Sequence, residues 1–199
     1  MPDYEYEKAA KSSGFSLICG VDEAGRGPLA GPVCAAAVIL PEDAVIEGLN
    51  DSKKLSEKKR EMLFDVIKEK AVAFSVAYGT LEEIEELNIL QATFLAMNRA
   101  IDGLKVKPDF ALIDGNRVPK DIKIPCETVV KGDGKSMSVA AASVLAKVTR
   151  DRLMLEYDKK YPLYDFKKHK GYGTKEHTEL IKKYGPCRIH RMSFLKNIL

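Results

Sequence analysis

Asp22 and Glu23 stand side by side behind an apolar run, Phe15 to Val21, and lead directly into a loop that holds Gly25, Arg26, Gly27 and Gly31. Adjacent carboxylates where a strand should emerge repel each other and lose hydration, so a divalent cation is the natural compensating partner. Three glycines within seven residues let main-chain N–H groups approach a sugar-phosphate that side chains would otherwise keep away. The segment reads as a metal site joined to a phosphate or nucleic-acid contact.

Two further acids fall at matching places. Asp114 follows Phe110-Ala111-Leu112-Ile113 and precedes Gly115-Asn116, and Asp133 follows Thr128-Val129-Val130 within Lys131-Gly132-Asp133-Gly134-Lys135-Ser136. Ligands of open α/β sheets gather at strand ends, so acids distant in sequence can converge there. Either aspartate alone also suits a plain turn, since Asp-Gly is a turn signature; the functional reading rests on the set. Four acids could hold two ions, which suits phosphodiester cleavage: one ion lowers the pKa of an attacking water and the other stabilises the leaving oxygen. No nucleophilic side chain is then needed. Mg²⁺ or Mn²⁺ fits an all-carboxylate set better than Zn²⁺. His169, His177 and His190 lie away from these acids, which points to phosphate contacts or structural hydrogen bonds.

The elements that must position these residues alternate along the chain. Strand signals appear at Ser16–Val21, Val33–Leu40, Ala71–Tyr78, Phe110–Ile113 and Ile124–Val130, each apolar and bounded by Gly, Pro or charge. A short Gly/Pro loop makes the first two antiparallel neighbours, while helices between the later ones allow crossovers, giving a five-stranded mixed sheet in an α/β fold. Helices are expected from Ser56 to about Lys70, from Thr80 to Gly103 with a break near Asn88, from Met137 to about Lys160 capped by Ser136, and from Thr174 to Tyr184.

Composition sets the frame. The 199 residues are 45% hydrophobic and 31% charged, as in an ordinary globular protein. The longest apolar stretch, Val33 to Leu40, is far short of the ~20 residues of a membrane span, and Met1 to Lys11 is polar without a signal-peptide core, so a cytoplasmic protein with no membrane partner is expected. Cys19, Cys34, Cys126 and Cys187 are widely spaced; they read as buried structural thiols, with neither disulfide nor zinc. The net charge of +3 hides an asymmetry: residues 147–191 carry 13 Lys/Arg against 6 Asp/Glu. The chain is a mildly acidic body with a basic C-terminal quarter, the kind of cluster that neutralises nucleic-acid phosphates and that can equally be a solvated face.

Seven blocks in order carry a resemblance: Gly20–Pro32, Asp51–Ser56, Leu95–Ala100, Ile113–Gly115, Lys131–Ser136, Ala140–Arg152 and His169–His177. Together, over roughly Phe15 to Phe194, they resemble the ribonuclease HII family. The resemblance implies a single ribonuclease H-like domain, with a catalytic core over about 15–160 and a small basic helical extension over about 161–199. It implies an endonuclease that hydrolyses the RNA strand of RNA–DNA hybrids and incises 5′ of single ribonucleotides in DNA, with Mn²⁺ or Mg²⁺, leaving 3′-hydroxyl and 5′-phosphate ends. A role in ribonucleotide removal during replication and repair goes with it, with no obligate protein partner evident. Carried over residue by residue, the metal-binding acids are Asp22, Glu23, Asp114 and Asp133. Asp133 rather than glutamate, and only about 15 residues before the first strand, favour HII over the related HIII. The Gly25-Arg26-Gly27 loop looks like the family's reader of the ribose 2′-hydroxyl, and Tyr172 like the ring that stacks on the neighbouring deoxyribose; the 2′-hydroxyl is the atom that separates RNA from DNA. Lys53 matches the Asp-Ser-Lys segment as a phosphate contact, and Lys131, Lys135, Lys168 and Lys170 are candidate backbone clamps.

Three rivals share features of this reading. A DNA-directed metal-dependent nuclease on the same fold would cut all-DNA substrates, a metal-dependent phosphatase would cleave small phosphomonoesters, and a non-catalytic hybrid-binding module would bind without turnover.

Overall fold

The structure is a computed structural model that describes all 199 residues. Five strands, β1 (Ile18–Ala24), β2 (Val33–Ile39), β3 (Ala73–Gly79), β4 (Phe110–Asp114) and β5 (Cys126–Val129), form one mixed sheet in the order β3-β2-β1-β4-β5. β1–β2 and β2–β3 are antiparallel; β1–β4 and β4–β5 are parallel. The parallel half has its carboxyl ends at one edge, and that edge carries the acids.

Helices cover both faces. One face packs on α4 (Ile89–Asp102), where Ala92, Ala96, Met97 and Ala100 meet Cys19, Val21, Ala35, Ala37, Ala111 and Ile113. The other packs on α5 (Met137–Lys160), where Ala140, Ala141, Val144 and Leu145 meet Cys34, Ala36 and Val38, with α2 (Glu57–Lys70) outside. The alanines let α5 lie very close: a Cβ on Gly20 would stand 2.1 Å from the Ser138 carbonyl carbon. Alternation along β1 therefore sends Asp22 to the α5 face and Glu23 to the α4 face. No helix is long and apolar enough to cross a membrane.

The mixed sheet and the four expected helical regions are present, with shifted ends. β1 starts at Ile18 because the amides of Ser16 and Leu17 are held by the Asp109 carboxylate at 2.9 and 2.8 Å. It continues past Val21, because pairing of Glu23 with Ala35 and Ala24 with Cys34 keeps it in the sheet. Asp22 and Glu23 thus lie inside the strand, not beyond it. β5 begins after Pro125, which has no N–H to give, and ends before Lys131, whose φ of +57° breaks the extended run. At Asn88, with φ +78°, α3 (Leu81–Leu87) ends, and the same side chain caps α4 by accepting from the amides of Leu90 and Gln91 at 3.0 and 3.2 Å.

Two helices were not expected. α1 (Glu5–Ser12) precedes the first strand, and its buried Glu7 accepts from Ser136 Oγ, Ser138 Oγ and the Ser138 amide at 2.7, 2.6 and 2.9 Å, at the start of α5. A single turn, α6 (Phe166–His169), precedes α7 (Lys175–Tyr184). The tail folds back, with Leu195 buried and Phe194 against the α4-side core. Cys19 and Cys34 are buried, their thiols pushed up to about 12 by desolvation, whereas Cys126 is only half-buried because its strand is the sheet edge.

Candidate active site

The sheet register brings the acids together. β1 and β4 are parallel with Val21 beside Ile113, so the next residues, Asp22 and Asp114, are neighbours at the strand ends. After β5 the chain makes a one-turn 3-10 helix, Gly132–Gly134, whose first amide donates to Asp114 Oδ1 at 2.7 Å, and this sets Asp133 beside Asp114.

The electrostatics record the crowding. Asp22 is buried and its carboxyl is raised well above the carboxylate range, first by desolvation and then by the charges of Glu23 and Asp114. Glu23 is raised by burial and by Asp114, against the pull of Arg26, with which it forms a 3.4 Å ion pair. Asp133 is raised to about 6 by burial, by the charge of Asp114 and by the neighbouring Asp51 carboxylate. Lys53 faces the group: burial lowers its pKa, but Asp133, Asp22, Asp51 and Asp114 outweigh that and raise it. No three acids or other ligating side chains form a ready-made cage. Asp22 turns its Oδ1 to the Glu23 amide at 2.7 Å, Asp114 accepts from the Gly132 amide and Glu23 pairs with Arg26. Four buried or half-buried carboxylates set against Lys53 and Arg26 leave negative charge uncompensated, the donor chemistry that hard divalent cations fit.

Beside the acids runs a cleft of about 470 Å³ lined by Asp22, Glu23, Gly25, Arg26, Gly27, Lys53, Lys147 and Tyr172. It meets a second hollow of about 320 Å³, lined by Asp114, Asn116 and Arg117, at Glu23 and Arg26. Gly27 faces the half-exposed ring of Tyr172: a Cβ there would lie 3.9 Å from Cε1. Lys147 Nζ stands 5.6 Å from the centre of the same ring and pairs with Asp151 at 2.8 Å.

The expected lysines divide. Lys53 lines the cleft, and Lys131 and Lys135 are exposed on either side of Asp133. Lys168 pairs with Glu176 at 2.7 Å, and Lys170 folds its ammonium onto the Lys167 carbonyl; neither lines the cleft. The histidines form one buried cluster, with His169 stacked on His177 at 4.2 Å and His177 Nε2 3.0 Å from His190 Nε2, so they make structural hydrogen bonds rather than phosphate contacts.

Sequence reasoning missed Asp51, Lys147, Arg150 and Arg191. Both arginines are fully buried. Arg150 donates to the carbonyls of Pro32, Ala30 and Lys170 at 3.1, 3.0 and 3.0 Å, and burial lowers its pKa. Arg191 donates to those of Gly31, Arg26 and Gly25, and burial with the nearby Arg150 lowers it to about 9. In sequence they are two more charges of a basic stretch; their only signal was position within the resembling blocks or just past them.

Known proteins share this sequence and fold. The sequence model of the family described as Ribonuclease HII matches residues 19–197. The Ribonuclease HII of Caldicellulosiruptor bescii is 57% identical over 98% of this chain and 95% of that protein. That of Acetivibrio thermocellus is 59% identical over 98% of this chain and 75% of that protein. Among solved structures, the ribonuclease H2 from Pyrococcus horikoshii superposes with a TM-score of 0.74 at 29% identity, covering 89% of this chain and 93% of that one. On its sequence and on its ribonuclease H-like fold, the chain belongs to the ribonuclease HII family, the endoribonucleases that act on RNA–DNA hybrids.

Proposed function

We propose that the enzyme also incises duplex DNA on the 5′ side of a single embedded ribonucleotide, and that it does so with two divalent ions held by Asp22, Glu23, Asp114 and Asp133. The observation that carries this reading is the shared wall of the cleft: Asp22, Glu23, the open backbone at Gly27 and the ring of Tyr172 line it together, with Asp114 and Asp133 adjoining Asp22 at the strand ends. Bound Mg²⁺ or Mn²⁺ would supply a water of lowered pKa and a Lewis acid for the leaving oxygen.

The protein's own groups do the rest. Amides of the Gly25-Arg26-Gly27 loop meet the 2′-hydroxyl, which a bulkier loop could not approach. Tyr172 lies across from them, where its ring stacks on the following sugar and rejects one that carries another oxygen. Lys147, above that ring, and Lys53, beside the acids, meet phosphates and hold the strand in place. Exposed Lys131 and Lys135 extend the basic track, and residues about 161–199, a helical subdomain appended to a core of about 15–160, carry Tyr172 to it. Ribonucleotide removal during replication and repair is the role that fits this specificity.

End mapping tests the reading. A duplex with one ribonucleotide should yield a 3′-hydroxyl that a polymerase extends and a 5′-phosphate that a ligase joins. A 2′,3′-cyclic phosphate product would make the ribose the nucleophile and overturn it.

A further inference from the structure

We infer that the adjacent residues His190 and Arg191 are positioning residues for ribonucleotide specificity, binding the glycine loop and Tyr172 into one rigid unit. The inference rests on the junction-reading role proposed above for those two parts.

The two residues sit on a small antiparallel bridge. Gly31 N–H donates to the Ile189 carbonyl at 2.9 Å and Arg191 N–H to the Leu29 carbonyl at 2.8 Å, with Ala30 opposite His190. From this bridge the side chains leave in two directions. Arg191 donates to the carbonyls of Gly25 at 2.6 Å and Arg26 at 2.9 Å. All peptides here are trans, and in a trans peptide the N–H points opposite to the C=O. Turning those two carbonyls inward therefore turns the N–H groups of Arg26 and Gly27 outward, toward the cleft that both residues line. The guanidinium sets which polar face the loop shows to a sugar.

His190 works on the other part. Its Nδ1 lies 2.9 Å from the Cys187 amide, which can only donate, and 3.3 Å from the Cys187 carbonyl, which already accepts from the His190 amide at 3.0 Å; the shorter contact makes Nδ1 the acceptor and puts the proton on Nε2. His177 Nδ1 lies 2.9 Å from the Tyr172 carbonyl, which can only accept, so His177 carries its proton on Nδ1 and has a bare Nε2. These assignments make the 3.0 Å contact between the rings a hydrogen bond from His190 Nε2 to His177 Nε2. The result is a chain from the Cys187 amide through His190 and His177 to the Tyr172 carbonyl, with every donor and acceptor used. Consecutive residues thus hold both parts of the reader, and a misplacement of about 1 Å is enough to cost much of a recognition step.

The test compares kcat/KM on a duplex with one ribonucleotide against kcat/KM on a uniform RNA–DNA hybrid, as a ratio. His190→Leu and Arg191→Lys should each lower that ratio by on the order of tenfold, with Mn²⁺ binding by calorimetry unchanged. His190→Gln, whose amide nitrogen can replace the Nε2 donor, should restore most of it. In a Tyr172→Ala background His190→Leu should change the ratio little further, because it acts through that tyrosine. Should Arg191→Lys fail to fold, hydrogen exchange in His190→Leu carries the test, with faster exchange expected at residues 170–173. Folded His190→Leu and Arg191→Lys with the wild-type ratio, alongside a Tyr172→Ala variant that loses it, would overturn the positioning role and leave junction reading standing. An unchanged ratio in Tyr172→Ala itself would overturn junction reading instead.

Discussion

Gly25 lies against Arg150 with no room for a side chain: a Cβ would stand 2.0 Å from the guanidinium Nε, and φ is +95°. Gly27 is different, since its φ is outside the left-handed region and a Cβ would meet only Tyr172, at 3.9 Å. Gly25 is a glycine for the fold, whereas Gly27 has open space before it and lines the cleft. Gly25→Ala should cost about 2–4 kcal/mol of stability, from overpacking plus a strained backbone, and lower activity on every substrate. Gly27→Ala should keep stability within about 1 kcal/mol and lose activity mainly on single ribonucleotides. Thermal denaturation and kinetics on both substrates check the pair; equal destabilisation would contradict the division.

Asp22→Asn separates stability from catalysis. Burial and the neighbouring carboxylates of Glu23, Asp114 and Asp133 oppose ionisation of Asp22, so a neutral amide of the same shape relieves the metal-free fold. Its melting temperature without metal should match or exceed wild type. Turnover should fall by on the order of a hundredfold or more, because metal-held charge stabilisation is worth several kcal/mol. A stable variant with near-normal turnover would contradict the assignment of Asp22 to the metal site.

The histidine cluster predicts a pH dependence. Burial holds His177 and His190 neutral and lowers both to about 4, with His169, Tyr164 and Cys187 the other titratable groups around them. The unfolded chain takes up these protons near pH 6.5, so it binds more protons than the fold between about pH 6.5 and 4. The histidine contribution is complete above that window and is lost as pH falls through it, on the order of 3 kcal/mol for each of the two. Urea denaturation from pH 7 to 4.5 measures this, and His177→Gln should flatten the slope. A slope unchanged by that substitution would contradict it.

Glu7 ties α1 to the start of α5 through three hydrogen bonds to its Oε1. Glu7→Ala would leave Ser136 and Ser138 without that acceptor and remove negative charge from a helix N-terminus, costing about 2–3 kcal/mol. Because α5 starts just after Asp133, the loss should also loosen that loop. Hydrogen exchange at residues 131–138 should rise, and unchanged exchange would contradict the link.

Much of this architecture was legible in the sequence because the signals were local. Five apolar runs, the Asn88 break and the Ser136 cap each announce themselves within a few residues, and the four acids that the fold brings together stand out because they close such runs. What escaped depends on tertiary contact. α1 is short and polar, and its buried face includes a glutamate, so no apolar period marks it. Arg150 and Arg191 look like ordinary members of a basic stretch, yet both are interior, held by carbonyls of a loop 118 to 166 residues away in sequence. Lys168 and Lys170 look equally available and are engaged elsewhere on the surface. Net charge by segment therefore overstated the basic surface, and the histidines, dispersed in sequence, gave no sign that they share one pocket.

The most direct measurement is cleavage of a labelled duplex that contains one ribonucleotide in otherwise all-DNA strands, with Mg²⁺ or Mn²⁺, beside an all-DNA duplex and an EDTA control. Incision immediately 5′ of the ribonucleotide, dependent on the metal and absent from all-DNA, is the predicted result. Cutting of the all-DNA duplex, or of long hybrids only, would contradict the claim that the acids, the glycine loop and Tyr172 form one junction-reading site.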